Sequence, residues 1–361
     1  MTSAVLDVTR AKNPYSGLGQ YAIHLGNAIL NAASGTVEPC LYLHKGDEDK
    51  FPTQSDNISH PKFWHKEDFR AVTSRLPLLS RTLQSPDLWH TFDQLSSYGP
   101  VDPKVPVILT VHDLNFPDRS EKSKTRGLRI VQKRIDRAEV VVTSSEFAAS
   151  QISSKLDLRG KPIRVIPAGH CLDETITARR PPSVPQAPFL FSIGEFRSTK
   201  NFHLLVQLVE QLPDYHLVIA GNTQTTYGQR VLNLADKSSA RSQIHLPGKV
   251  IDAERRWFYE NCAAFLFPSV AEGFGLPVLE SMSCGRPVFT TREMSLPEVT
   301  GHLGFYWDSL EPNKMLGTFL EGMVRFESDP EYSGKLQTHA SQFNWEKTAQ
   351  SFMDLYCDIL L

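Results

Sequence analysis

Residues 267–287, Phe-Pro-Ser-Val-Ala-Glu272-Gly-Phe-Gly-Leu-Pro-Val-Leu-Glu280-Ser-Met-Ser-Cys-Gly-Arg-Pro, set two carboxylates around a glycine loop. The apolar run 263–267 reads as a buried strand, Gly273 and Gly275 permit close backbone approach to a ligand, Pro277 suits a first helical turn and Gly285 its end. A helix starting there turns unpaired N–H groups and positive dipole density toward the carboxyl end of a strand, where open α/β sheets bind anions and nucleotides. A diphosphate is the natural occupant. Glu280 is expected on the first turn of the helix, in reach of a ribose hydroxyl, and Glu272 in the loop, nearer a sugar. The competing reading is a pair of solvated acids around an ordinary loop.

The elements that must position this segment follow from an alternation of short β-branched or aromatic runs with longer helical patterns, which predicts an α/β chain with parallel sheets. Strands are expected at 4–8, 39–44, 88–91, 105–111, 139–143 and 163–166, and again at 188–193, 215–220, 244–246, 263–267, 287–290 and 304–307. Two comparable sets follow one another. Between them, 173–187 holds Pro181, Pro182 and Pro185 with little apolar periodicity and reads as a linker, dividing a domain over 1–172 from one over 188–344. Trp345, Ala349, Phe352, Leu355, Tyr356 and Ile359 have helical spacing, so 345–361 is expected as a closing helix returning to the first domain.

With the elements in place, the motif resembles the E-x7-E signature of the family 4 retaining glycosyltransferases, and its surroundings match over most of the chain. Ser192-Ile-Gly-Glu-Phe-Arg-Ser-Thr-Lys200-Asn201 is similar to that family's phosphate loop and Leu246-Pro-Gly-Lys-Val250 to its base-contacting turn. Val142-Thr-Ser-Ser-Glu-Phe and Val165-Ile-Pro-Ala-Gly resemble the end of its first domain, and Thr110-Val-His112-Asp113-Leu its donor-facing loop. Asn13-Pro-Tyr-Ser-Gly17-Leu18-Gly19-Gln-Tyr, a glycine turn entering a helix, resembles the loop that brackets donor and acceptor; alone it reads equally well as a plain βα turn.

The resemblance implies a GT-B fold, two Rossmann-like parallel-sheet domains facing a central cleft. It implies Glu280 on the ribose, Val250 at the nucleobase, and Gly273, Phe274, Gly275 and Leu276 on the sugar and phosphates. Glu272 would contact sugar hydroxyls, Lys200 with Arg197 the diphosphate, His112 the sugar near the reacting carbon, and Asn201 would cap the helix that follows. The phosphate loop departs from the pattern in one place: many relatives carry Arg directly before that Lys, whereas this chain has Thr199, with Arg197 two residues earlier. The implied activity is a metal-independent transfer of a hexose, from GDP-mannose or a UDP-sugar, to a saccharide or lipid-linked acceptor in surface-polysaccharide synthesis. A nucleotide-sugar-binding subunit without turnover, or an epimerase on the same architecture, are the alternatives; the epimerase lacks matching motifs.

Blander readings attach to single residues. Lys200 can be a surface lysine at a helix start, and His112 a core histidine satisfied by backbone groups. Asp113 is expected to fix a turn. Asp47-Glu48-Asp49 superficially matches a D-x-D metal motif but follows Lys45-Gly46 in what reads as an exposed loop, so no metal site is expected. The cations between Arg119 and Arg137 suit anionic headgroups or a solvated helix face, and 62–83 suits a membrane surface or a core.

Composition narrows the classes. At 361 residues the chain supports two domains, and its formal charge of -2 supplies no basic field for nucleic acid. No secretory leader and no ~20-residue apolar span is evident, so peripheral membrane contact is the most that is expected. Cys40, Cys171, Cys262, Cys284 and Cys357 lie far apart with no C-x-x-C pair, which fits a reducing cytosol. No cofactor is expected, the nucleotide-sugar being a substrate.

Overall fold

Every strand expected from the apolar runs is present, with ends displaced by no more than two residues. The computed structural model describes residues 2–33, 35–52, 57–66, 85–116, 121–172, 175–182 and 184–361. The chain divides into two compact units: Met1–Gly169 with Asn344–Leu361, and His170–Phe343. Of the expected linker, the described residues 175–182 and 184–187 lie within the second unit. There the Arg179 N–H donates to the Ala253 carbonyl at 2.9 Å, and its guanidinium pairs with Glu254 at 2.7 Å.

The first unit holds a wholly parallel sheet of order β3-β2-β1-β4-β5-β6-β7, built from β1 (Thr2–Asp7), β2 (Val37–Tyr42), β3 (Ile58–Ser59), β4 (Leu88–Thr91), β5 (Val107–Thr110), β6 (Val140–Thr143) and β7 (Ile163–Val165). β4, β5 and β6 are buried at every position, which is why they read as unbroken apolar runs. Around them lie α1 (Gly17–Ala32), α2 (Glu121–Arg137) and α3 (Glu146–Lys155). Helix α2 buries Gly127, Val131 and Ile135 and leaves Lys122, Arg126, Arg129 and Lys133 exposed. Arg119 and most of 62–83 lie outside the described residues.

The second unit repeats the plan with the order β10-β9-β8-β11-β12-β13, again all parallel: β8 (Phe189–Ile193), β9 (His216–Ala220), β10 (Ile244–Gly248), β11 (Ala264–Phe267), β12 (Val288–Thr291) and β13 (Phe305–Trp307). This 3-2-1-4-5-6 order has its topological switch between β8 and β11, where such sheets bind nucleotides. Its helices are α4 (Phe202–Val209), α5 (Thr226–Lys237), α6 (Asp252–Asn261), α7 (Leu276–Ser283), α8 (Leu296–Thr300), α9 (Pro312–Ser328) and α10 (Tyr332–Ala340). Phe191, Phe258, Phe265, Phe267 and Phe289 fill the core with almost no exposure, Phe191 stacking on Phe258 at 5.0 Å.

The last helix, α11 (Trp345–Leu360), belongs to the first unit and packs on α1. Trp345 meets the Tyr21 edge at 5.5 Å and stacks on His24 at 5.8 Å. Deeper in, fully buried His90 on β4 bonds Tyr356 Oη at 2.6 Å and Thr110 Oγ1 at 2.8 Å, tying the returning helix to two strands. Burial holds that imidazole well below its ordinary pKa, so it is neutral. Among the described residues no helix is long and apolar enough to cross a membrane, and all five cysteines are free.

Candidate functional site

The glycine loop leaves the carboxyl end of β11 and runs straight into α7, as the positions of Gly275 and Pro277 require. Gly275 is the residue before the helix with φ 115°, a conformation costly for any side chain, and Pro277 occupies the first turn. At the other end the Gly285 N–H donates to the Met282 carbonyl (2.9 Å) and the Arg286 N–H to the Ser281 carbonyl (3.1 Å), the paired bonds of a Schellman stop. At the start, the amides of Gly273, Phe274, Gly275 and Leu276 have no hydrogen-bond partner among the described residues. These are donors held by a fixed loop at the positive end of a helix dipole, an anion site in form.

The loop is braced by the end of β12 and the segment after it, which sequence reading did not single out. Thr290 Oγ1 donates to the Phe267 carbonyl (2.9 Å), Thr291 Oγ1 to the Ser269 carbonyl (2.5 Å), and buried Ser295 Oγ to the Phe274 carbonyl (2.9 Å). The Glu272 N–H points to Met294 Sδ at 3.3 Å, and Met294 itself has φ 59°. The hydroxyls on Thr290, Thr291 and Ser295 are the only sequence signal such a brace leaves.

From β8 comes the second half of the site. Gly194 and Gly221, at the ends of β8 and β9, approach so closely that a Cβ on Gly221 would overlap the Gly194 carbonyl oxygen, and Gly221 has φ 145°. After this turn Lys200 ends a short 3-10 segment with Nζ in an ion pair with Glu272, both side chains being 14% and 12% exposed, and lies 4.9 Å over the Phe267 ring. The Val270 N–H donates to the Thr199 carbonyl at 3.0 Å, stitching the two loops together. Lys200 is thus no free surface lysine.

Other expected residues fall differently. Arg197 is half-exposed and pairs with Glu195 at 2.5 Å. Asn201 does not cap α4 with its side chain: it adopts a left-handed φ of 52° and donates Nδ2 to the Pro268 carbonyl at 3.0 Å, so it too joins the two loops. Val250 follows β10 half-buried against the core. Glu280 is not on the first turn of α7, since the helix begins at Leu276 and the carboxylate falls on the second. It is 3% exposed and faces Arg255 Nη1 on α6 at 3.4 Å. Burial pushes its carboxyl above the ordinary range, against the pull of Arg255 and the Tyr259 hydroxyl.

In the first unit His112 follows β5 almost fully buried. Its Nε2 bonds the Phe92 carbonyl at 2.8 Å, its backbone N–H donates to Gln94 Oε1 at 3.2 Å, and the Tyr21 ring stands edge-on at 4.5 Å. A carbonyl only accepts, so Nε2 carries the proton and Nδ1 a lone pair. Burial lowers its pKa. Asp113 fixes a turn, accepting the Asn115 N–H at 2.7 Å. Ser16 caps α1 by accepting the Gly19 N–H at 3.1 Å, a Cβ on Gly19 would overlap the Asn13 carbonyl, and the Gly17 and Leu18 amides have no partner among the described residues. Buried Asp93 pairs with Arg10 beyond β4.

Asp47 pairs with Lys50, and Glu48 accepts the Gly46 N–H at 2.6 Å, so two acids of the D-x-D-like run are engaged locally. Among the described residues no three His, Cys, Asp or Glu side chains converge as a metal site needs.

Comparison with known proteins agrees with this architecture. The Glycosyltransferase Family 4 model matches residues 15–174 and the Glycosyl transferases group 1 model residues 174–341. The O-antigen chain mannosyltransferase B of Escherichia coli is 25% identical, covering 96% of this chain and 97% of that protein. The serotype-specific mannosyltransferase WbdA of Escherichia coli is 27% identical over 62% of this chain, an alignment that spans only 29% of WbdA. Among solved structures, sucrose-phosphate synthase from Thermosynechococcus elongatus superposes with a TM-score of 0.77 at 16% identity, and Anabaena HepE in complex with UDP and glucose with 0.75 at 16%, each covering 99% of both chains. Two parallel Rossmann-like sheets, an amide-lined glycine loop between two glutamates, and two family models that together cover residues 15–341 lead to one assignment: the chain belongs to the group 1, family 4 glycosyltransferases and has the GT-B fold.

Proposed function

We propose that the chain is a retaining mannosyltransferase that takes mannose from GDP-mannose, with a UDP-sugar as the alternative donor, and adds it to a saccharide or lipid-linked saccharide acceptor in surface-polysaccharide synthesis. The observation that carries the reading is the convergence of Lys200, Glu272 and the unpaired amides of Gly273–Leu276 at one loop. The mannosyltransferase name of a relative similar over nearly its whole length supports the choice of sugar.

Departure of the nucleoside diphosphate builds negative charge on the β-phosphate oxygen while the sugar gains oxocarbenium character. The amides before Pro277 and the Lys200 ammonium answer that charge without a metal ion. Lys200 is paired with Glu272, so a diphosphate that captures the ammonium releases the carboxylate to accept from sugar hydroxyls. His112, neutral and with its Nε2 proton committed to Phe92, offers Nδ1 as an acceptor for a sugar hydroxyl. In retention the acceptor oxygen bonds to C1 on the face from which the phosphate leaves, the C1–O bond to phosphate breaks, and the acceptor proton passes to the departing phosphate oxygen. Glu272 forms no covalent bond.

The test is a transfer assay with GDP-mannose and UDP-hexoses, in EDTA, on an oligosaccharide acceptor, the product anomer being read by NMR. An α-mannoside from the α-linked donor is expected. Saturable nucleotide binding with no release of nucleoside diphosphate overturns the enzyme reading in favour of a binding subunit, and an inverted product or a glycosyl adduct on Glu272 overturns the mechanism.

A further inference from the structure

Helix α6 follows directly on the turn that ends at Val250 and carries Asp252, Arg255 and Tyr259 at helical spacing, with Arg255 facing Glu280 of α7. The Arg255 side chain is 12% exposed, and its guanidinium is held from three directions: Nη2 donates to the Cys171 carbonyl at 2.9 Å and pairs with Asp252 at 3.2 Å, while Nη1 faces Glu280 Oε1 at 3.4 Å. Arg255 Nε has no hydrogen-bond partner among the described residues, and the hydroxyl of fully buried Tyr259, near enough to the Glu280 carboxyl to pull its pKa down, completes no well-formed hydrogen bond. The Tyr259 ring is wedged between Phe191 and Phe265, at 5.1 and 5.3 Å, so the hydroxyl cannot swing away.

A carboxylate so deeply enclosed is costly to keep ionised, and a protonated one loses acceptor capacity. Arg255 supplies the compensating charge but approaches one oxygen only, which leaves Glu280 with lone pairs for a diol. We propose that Arg255 and Tyr259 are positioning residues that hold Glu280 as a ribose-reading carboxylate, and so set a preference for ribonucleotide over deoxyribonucleotide donors. The proposal rests on the assignment of Glu280 to the donor ribose made above.

Calorimetry with GDP and UDP identifies the tighter nucleotide, which is then compared with its 2′-deoxy and 3′-deoxy analogues. The wild-type chain is expected to prefer the ribonucleotide by roughly 10- to 100-fold, the worth of a hydrogen bond to a charged group. Glu280→Gln collapses that ratio, and Arg255→Met collapses it to the same level. Tyr259→Phe lowers it by a smaller factor with an unchanged melting temperature. The double variant Arg255→Met/Glu280→Gln, which leaves no unpaired buried ion, loses no more than Glu280→Gln alone. A wild-type ratio retained by Arg255→Met and by Tyr259→Phe, where Glu280→Gln loses it, overturns the inference; if Arg255→Met does not fold, Tyr259→Phe decides. No preference in the wild-type chain, or one that Glu280→Gln leaves intact, instead overturns the ribose assignment itself.

Discussion

Replacing Lys200 by Met keeps the stem that lies over Phe267 and removes only the charge, which separates what the ammonium does for the fold from what it does for the chemistry. In the absence of donor it pairs with Glu272, and at 14% and 12% exposure the two side chains are largely withdrawn from water. Removing one member of such a pair strands the other, at about 3 kcal/mol, the low end for buried pairs because some solvent remains. For a unit of this size that lowers the melting temperature by roughly 6 to 12 °C. Turnover under donor saturation should fall by about 10²- to 10³-fold, the usual loss when one preorganised charge-stabilising group is removed. The double variant Lys200→Met/Glu272→Gln should recover most of the lost melting temperature and none of the turnover. Nucleoside diphosphate release and thermal melting on the same samples read both quantities. Turnover of Lys200→Met within tenfold of wild type, or recovery of turnover with stability in the double variant, would mean that the Lys200 charge does not stabilise the leaving diphosphate.

Three further outcomes follow from the packing. Gly221→Ala should destabilise the second unit by about 3 kcal/mol, since the new Cβ meets the Gly194 carbonyl at a φ that side chains avoid; an unchanged urea midpoint contradicts this. Ser295→Ala removes the donor to the Phe274 carbonyl and should raise the donor KM about five- to tenfold while the fold persists, corresponding to about 1 kcal/mol of lost loop order; an unaltered KM contradicts it. Stability should be level above the unfolded imidazole value of 6.5 and fall as pH drops below it, by up to about 1.4 kcal/mol per unit per site. The sign is set by buried neutral His90, with His112 adding to it, because the unfolded chain takes up the proton first. His90→Gln should flatten that slope in melting curves between pH 7.5 and 5.5, and an unchanged slope tells against it.

The central strands were legible because they are buried on both faces and announce themselves as apolar runs; β3, two half-buried residues at an edge, carries no such pattern and was not anticipated. The glycine loop was legible for a related reason, since Gly275, Pro277 and Gly285 are each demanded by local backbone geometry. Partnerships between distant segments were not. Nothing local tells that Lys200 will meet Glu272, that Asn201 will reach Pro268 in preference to capping α4, or that Glu280 will be enclosed by Arg255 and Tyr259. Such contacts depend on how β8, β11 and the intervening helices are stacked. Glu280 falls on the second turn because α7 starts at Leu276, directly after Gly275, one residue before the Pro277 from which a first turn would have reached Glu280. At the domain boundary, proline content marks 173–187 as a linker, and the bonds of Arg179 within it to α6 are contacts that no local pattern signals.

On this reading the loop before Pro277 receives a diphosphate together with Lys200. A crystal structure with bound GDP or UDP tests it most directly. The β-phosphate is expected against the amides of Gly273–Leu276, with Lys200 Nζ turned from Glu272 to a phosphate oxygen. A nucleotide bound elsewhere, with the Lys200–Glu272 pair undisturbed, would contradict it.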